Sequence, residues 1–141
     1  IRLSLVGSEM CIRDRADMVR TLRPRIAFEE TFEKAVDRWS GGQYDHEYPE
    51  SFEQFTSRTN EALDDLVDAA HEHVVVVTSA GPVCWTAAHL TAGGSLDAWK
   101  HFTLAAVNTG VTRITIDRHG PRLLTFNEFT HLEGAGLVTN R

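Results

Sequence analysis

The chain has 141 residues, enough for one domain with a sizeable core, and its hydrophobic share of 42% and charged share of 24% are typical of globular proteins. A formal net charge of −6 without a basic stripe argues against a nucleic-acid or membrane-surface partner. No apolar run approaches the roughly 20 residues of a membrane-spanning helix, and two cysteines, Cys11 and Cys84, favour a reducing, cytoplasmic setting over a disulfide framework.

The first fifteen residues differ in character from the rest of the chain. They contain the run Leu-Ser-Leu-Val-Gly-Ser-Glu-Met-Cys-Ile-Arg-Asp-Arg, which is similar to a translated sequencing-adapter tail. A signal peptide is the poorer interpretation, because Glu9 interrupts the apolar stretch and no small-residue cleavage site follows it. We therefore expect residues 1–15 to be artefactual, residues 16–133 to form the domain, and residues 134–141 to be a frayed tail.

Two helices are predicted in the N-terminal half. Apolar side chains recur at helical spacing over residues 27–40, and Gly41-Gly42 marks the end of that helix. A second helix is predicted over residues 51–70. Ser51 and Gln54 match a capping box there, in which each side chain satisfies an exposed backbone donor of the first turn.

A buried strand followed by a helix is predicted in the middle of the chain. Val74–Val77 is a continuous β-branched run, typical of a strand that is covered on both faces. The small residues Thr78-Ser79-Ala80-Gly81 interrupt it. Pro82 is predicted to be the first residue of a helix that reaches residues 89–91, because proline suits the first helical position.

The remaining elements are short. Gly93-Gly94 indicates a turn, and Ser95 is predicted to cap a helix over residues 95–102. Residues 112–117 and 122–126 alternate like the paired strands of a hairpin. Helices, a buried strand and a hairpin together indicate an α/β layer architecture. A buried strand needs neighbours on both edges, and the hairpin alone does not supply them, so we expect strands to be missing.

The turn after the predicted strand is the candidate binding site. Ligands of open α/β sheets bind beyond the carboxyl ends of strands, where a following helix points its free N–H groups and positive dipole end. Small side chains let the backbone approach an anion, and Thr78 and Ser79 add hydroxyl donors. Thr78, Ser79 and Ala80 therefore predict an anion pocket. The alternative is a tight turn that needs small residues only for packing.

Four motifs carry a family resemblance. They are Tyr48–Phe55 with the following Arg58 and Ala62-Leu63, Val74–Val83, Asn108–Thr112, and Asn127–Leu132. In these motifs the chain from about Arg25 to Leu132 is similar to the C-terminal part of the histidine phosphatase superfamily, the phosphoglycerate mutase-like proteins. The resemblance implies a partial three-layer α/β/α sandwich whose N-terminal strands are missing.

The resemblance also implies phosphoryl transfer through a phosphohistidine. The family's nucleophile lies in an Arg-His-Gly motif after its first strand, a segment expected to be missing here. Ser79 occupies the position of the family's second active-site histidine. We therefore expect a C-terminal fragment of a phosphomonoesterase that is inactive as it stands. It would keep Thr78, Ser79 and Ala80 as a site for a small phosphorylated substrate or phosphate, with no cofactor and no metal. A non-catalytic phosphate-binding pseudoenzyme is an alternative.

A serine hydrolase is the rival enzymatic hypothesis. Ser79 lies between a strand and a helix, as in a nucleophile elbow, and Asp97 or Asp117 and then His131 follow in the order of the α/β-hydrolases. The elbow needs glycine two positions before the serine. Val77 occupies that position and would crowd the turn, which argues against this hypothesis.

Two histidine-containing segments have simpler interpretations. Arg118-His119-Gly120 spells the family's tripeptide but falls between two predicted strands, so we interpret it as a hairpin tip. His71-Glu72-His73 alternates like zinc ligands, but no third ligand is identifiable by spacing. Solvated residues between a helix and a strand are the favoured interpretation of this segment.

Overall fold

The computed structural model describes residues 24–69 and 72–139, which contain helices and a two-stranded sheet, consistent with the α/β class. Residues 1–15, Ala70, His71 and the end of the predicted tail lie outside the described residues. No helix in the described ranges is long and apolar enough to cross a membrane. The elements are α1 (Pro24–Ser40), a 3₁₀ turn (Asp45–Glu47), α2 (Phe52–Asp68), α3 (Ala80–Ala92), α4 (Leu96–Ala105), β1 (Val111–Asp117), β2 (Gly120–Glu128) and α5 (Thr130–Glu133).

The chain divides into two compact units, and an aromatic cluster forms the core of the one that contains residues 24–57. The Trp39 ring meets Phe52 nearly edge-on at 5.2 Å between centroids and lies 5.4 Å from Phe55. Phe55 is fully buried. The Trp39 Nε1–H group donates to the carbonyl of Glu50 at 2.8 Å, so the only polar atom of the indole is satisfied. This cluster joins the end of α1 to the beginning of α2.

The capping box that was predicted at the beginning of α2 is confirmed. The Ser51 N–H group donates to Oε1 of Gln54 at 2.8 Å, and the Gln54 N–H group donates to Oγ of Ser51 at 3.1 Å. The two reciprocal bonds satisfy two of the donors that the first turn of a helix leaves free.

Arg38 makes several contacts to the segment between α1 and α2. Its guanidinium lies 3.8 Å from the centre of the Tyr44 ring and donates to the Tyr48 hydroxyl and the Glu47 carboxylate. The bonds to Tyr48 and Glu47 raise the pKa of Arg38 above its ordinary value. The side chain therefore stays charged and ties the loop to the helix that precedes it.

In the unit from residue 58 onward, α3 provides a face of small buried residues. Cys84, Ala87 and Ala88 have no exposed surface, so Cys84 packs in the core as a small hydrophobic residue. Gly93 ends the helix in the left-handed conformation at φ 61°, which glycine adopts without strain. The turn that was predicted at Gly93-Gly94 is confirmed.

Two tryptophans connect the helices of this unit by hydrogen bonds from their indole N–H groups. Trp85 on α3 donates from Nε1 to Oδ1 of Asn60 on α2 at 3.0 Å. Trp99 on α4 donates from Nε1 to the carbonyl of Gly81, in the first turn of α3, also at 3.0 Å. Both rings are buried, as expected for core tryptophans. The bond from Trp99 fixes the beginning of α3 relative to α4.

The predicted hairpin is confirmed, and its strands are longer than the sequence indicated. β1 and β2 pair antiparallel, with register shifts near Arg113. The turn holds Gly120 at φ 93°, a conformation that favours glycine. The His119 N–H group donates to Oδ1 of Asp117 at 2.8 Å and closes the tip.

The strand that was predicted at Val74–Val77 is wrong for this structure. The segment has no regular secondary structure, and Val75 and Val77 are 91% and 79% exposed. A β-branched run becomes a buried strand only where other strands pair with it and elements cover both faces. In the described part of the chain the sheet consists of β1 and β2, which pair with each other. The three-layer arrangement therefore stays a prediction.

The exposure of this segment can be tested with a valine pair. Val75→Ala is expected to change the free energy of unfolding by less than about 0.5 kcal/mol, because little apolar surface is lost from a core. Val36→Ala, at a residue that is 5% exposed, should cost about 0.5–2 kcal/mol. Urea unfolding followed by circular dichroism measures both. Equal losses for the two variants would show that Val75 is buried in solution.

Candidate functional site

The site is built around the N-terminus of α3. Ser79 is the N-cap residue, with extended backbone angles of φ −89° and ψ 171°, and its side chain makes no capping hydrogen bond. The helix begins at Ala80, so Pro82 is its third residue and not its first, as the sequence analysis expected. The helix can begin earlier because N–H groups of the first turn have no intrahelical partner, so proline loses no bond there.

A cavity of about 190 Å³ lies at this end of α3. Part of its lining comes from the beginning of the helix, part from the segment after α4, and part from the hairpin strands. Its volume equals about six water molecules at roughly 30 Å³ each, which suits a small ligand. The lining residues are Thr78, Ser79, Ala80, Val83, Ala106, Val107, Asn108, Thr109, Gly110, Thr112, Phe126 and Asn127.

The lining residues of this cavity carry no charged side chain, and its polarity comes from neutral donors. Oγ1 of Thr78 and Oγ of Ser79 are buried and have no hydrogen-bond partner in the described structure. An unsatisfied buried hydroxyl costs about 1–3 kcal/mol, so these atoms favour a ligand that offers acceptors. The N-terminus of α3 adds a partial positive charge of about half an elementary charge. Together these features suit a small oxyanion.

The family of the chain follows from a comparison with known protein families. A family model described as "Histidine phosphatase superfamily (branch 1)" matches residues 21–128. The chain belongs to the histidine phosphatase superfamily. The family resemblance of the sequence motifs is thereby confirmed, and membership supports a phosphatase or mutase-like function in general terms. Searches of curated proteins and of solved structures each found no match.

The structure brings the three predicted site residues of this histidine phosphatase domain together. Thr78, Ser79 and Ala80 all line the cavity. Sequence reasoning missed the residues that complete the lining, above all Thr112 and Asn127 on the hairpin strands. Both belong to motifs that carried the family resemblance. The motifs gave the order of Thr112 and Asn127 along the chain, but only the fold shows that both line the cavity at the N-terminus of α3.

The residues of the serine hydrolase hypothesis do not assemble around Ser79. Asp97, Asp117 and His131 are exposed and are not among the residues that line the cavity. Asp117 instead accepts a hydrogen bond from the side chain of Arg122. A serine nucleophile needs a base within hydrogen-bond reach, and the described lining offers none.

The two histidine-containing segments lie away from the cavity lining. Arg118-His119-Gly120 forms the hairpin tip, as interpreted from the sequence, and the Nε–H group of Arg118 donates to Nε2 of His119 at 3.0 Å. His71 lies outside the described residues, and Glu72 and His73 are exposed. Within the described ranges, no group of three or more metal-ligating side chains could hold a metal ion.

Proposed function

We propose that the cavity at the N-terminus of α3 binds the phosphoryl group of a small phosphate ester, or free phosphate. In its complete catalytic form the domain would hydrolyse phosphomonoesters through a phosphohistidine. A histidine nitrogen would attack phosphorus and release the alcohol, and water would then release phosphate from the histidine. The proposal includes the three-layer α/β/α sandwich that the family resemblance implies.

One observation carries this proposal. In a domain of the histidine phosphatase superfamily, two buried hydroxyl oxygens without partners line a cavity that also receives the N-terminus of α3. The hydroxyls of Thr78 and Ser79 and the N–H group of Ala80 are donors that match the oxygens of a phosphoryl group.

The lining offers binding groups but no nucleophile. None of the six histidines in the described ranges lines the cavity. Ser79 can donate one hydrogen bond, but it cannot provide the charge that an imidazolium offers to a phosphoryl group. We therefore propose that the 141-residue chain binds phosphate without turning over phosphate esters, whether it is a fragment of an enzyme or a pseudoenzyme.

The proposal also includes a cellular location and the size of the ligand. A cytoplasmic location is supported by the cysteine content, since two cysteines in 141 residues do not provide the disulfide framework of a small secreted domain. The neutral lining supports a small phosphate as the partner, because no basic side chain reaches out to a longer polyanion.

Oxyanion binding is the first test of the proposal. Phosphate or orthovanadate at 100 times its dissociation constant should stabilise the chain by about 2.7 kcal/mol, which a thermal shift assay detects as a rise in Tm. Sodium chloride at equal ionic strength controls for general salt effects. Absence of a shift that exceeds this control would contradict the proposed pocket.

A second assay separates binding from catalysis. The pure chain is expected not to hydrolyse p-nitrophenyl phosphate above background, because no histidine lines the cavity. Hydrolysis that His119→Ala abolishes would show instead that the hairpin-tip histidine is a nucleophile. Labelling of Ser79 by a fluorophosphonate, in a folded sample, would support the serine hydrolase hypothesis.

A further inference from the structure

Asn127, near the end of β2, has a backbone conformation that is rare for a residue with a side chain. In the described part of the chain, the non-glycine residues with positive φ are Asn127, at 57°, and Thr109, at 60°. Asparagine tolerates the left-handed region better than most residues, whereas β-branched threonine does not. Such conformations persist where the surrounding structure holds them, and they concentrate at functional sites. Both residues line the cavity.

The side-chain amide of Asn127 forms hydrogen bonds to the last residue of α4 and to the segment that follows it. Its Oδ1 accepts a hydrogen bond from the Val107 N–H group at 2.9 Å, and its Nδ2 donates to the carbonyl of Ala105 at 2.7 Å. The Asn127 N–H group also donates to Oγ1 of Thr112 on β1 at 3.2 Å. A single side chain thus connects the hairpin to the backbone that forms part of the cavity lining.

The turn that follows Val107 is fitted closely to this amide. The Gly110 N–H group donates to the carbonyl of Val107 at 3.0 Å and closes the turn. A Cβ atom at Gly110 would lie 2.5 Å from Oδ1 of Asn127, so a larger residue there would displace the amide. Thr109 occupies the strained position of the same turn. Asn127 thus contacts the turn at the Val107 N–H group and beside Gly110, and Asn108 adds two hydrogen bonds to Thr139.

We infer that Asn127 is a positioning residue that fixes the Val107–Gly110 turn and thereby sets the width of the oxyanion pocket. This inference rests on the proposed function, because it assigns to the cavity a small tetrahedral oxyanion. Asn127 acts through the turn and need not touch the ligand. Without its amide the strained turn relaxes, and the cavity loses the shape that holds an anion against Ser79.

The test uses Asn127→Gly in the full 141-residue chain, because glycine adopts positive φ freely and loses only the amide. The dissociation constant for orthovanadate, measured by calorimetry, should rise at least tenfold. Amide hydrogen exchange at Val107, followed by NMR, should accelerate at least tenfold. Asn127→Asp keeps an acceptor for Val107 but places a carboxylate oxygen against the Ala105 carbonyl, so it should weaken binding too.

Asn60→Ala is the matched control. It removes the hydrogen bond to Trp85 in the core and so destabilises the same unit, but Asn60 does not line the cavity. Its dissociation constant for orthovanadate should equal that of the wild type. If it weakens binding as much as Asn127→Gly does, the effect is general destabilisation and the inference is wrong.

The outcomes separate this inference from the proposed function. Orthovanadate binding that is equal in the wild type and in Asn127→Gly overturns the positioning role while the pocket stands. If the wild type binds no oxyanion, the proposed function and the oxyanion assigned to the cavity are both wrong. In that case amide hydrogen exchange at Val107 still tests whether the side-chain amide of Asn127 holds the turn. An exchange rate that is unchanged in Asn127→Gly would contradict that role as well.

Discussion

Replacing Ser79 with aspartate is expected to weaken oxyanion binding at least about a hundredfold while leaving the domain folded. Two like charges 4 Å apart repel by about 4 kcal/mol at an effective dielectric constant of 20, and each 1.4 kcal/mol is tenfold in affinity. Aspartate is also a favoured N-cap residue, and its charge suits the positive end of α3. Calorimetry with orthovanadate and a thermal melt of the free protein measure the two effects.

Two further serine variants make this result specific to the cavity. Ser95→Asp changes the N-cap of α4, where Oγ of Ser95 already accepts from the Ala98 N–H group, and it should leave the affinity unchanged. Ser79→Ala removes one donor and should weaken binding about ten- to a hundredfold, since a hydrogen bond to a charged group contributes about 1.5–3 kcal/mol. If Ser79→Asp binds orthovanadate as the wild type does, the anion does not bind beside the Ser79 side chain.

The features that the sequence predicted correctly are those that depend on neighbours along the chain. Ser51 and Gln54 are three residues apart, so their reciprocal bonds follow from helical geometry alone. The hairpin requires two strands and a turn that are contiguous in sequence, and Gly120 supplies the positive φ of the turn. Ser95 caps α4 for the same local reason.

The strand at Val74–Val77 was predicted from composition, but a strand is not a local object. Its stability depends on hydrogen bonds to other segments, and β-branched residues favour a strand only where such segments exist. The described residues pair β1 with β2, and the valines face solvent. A run of β-branched residues thus favours a strand, but the strand forms only where other segments of the protein pair with it.

The candidate site divides in the same way. Thr78, Ser79 and Ala80 were predicted because a turn with small residues before a helix is itself a recognisable anion site. Asn127 reaches Val107 across twenty residues of sequence separation, through the fold of α4 and the hairpin. The residue types asparagine and valine do not indicate that contact. The family resemblance therefore predicted the order of the motifs along the chain, but not that the hairpin residues line the cavity.

Replacing Phe55 with alanine is expected to cost about 3–5 kcal/mol of unfolding free energy, the range for removing a buried phenylalanine. Phe55 has no exposed surface and lies within 5.4 Å of the Trp39 ring and 6.1 Å of the Phe52 ring. Such a loss is a large share of the about 5–15 kcal/mol that holds a typical domain folded. Urea unfolding followed by circular dichroism measures it, and Leu124→Ala, at a residue that is 63% exposed, is the surface control.

A double-mutant cycle then shows whether the cluster acts as a unit. Phe52→Ala and Phe55→Ala should together cost less than the sum of their separate effects, by about 0.5–1.5 kcal/mol, because both rings pack on Trp39. Simple additivity would mean that each ring contacts Trp39 independently. A loss below about 1 kcal/mol for Phe55→Ala alone would contradict its burial. The link between α1 and α2 would then rest on the Trp39 bond to Glu50 and on Arg38, both of which are polar contacts.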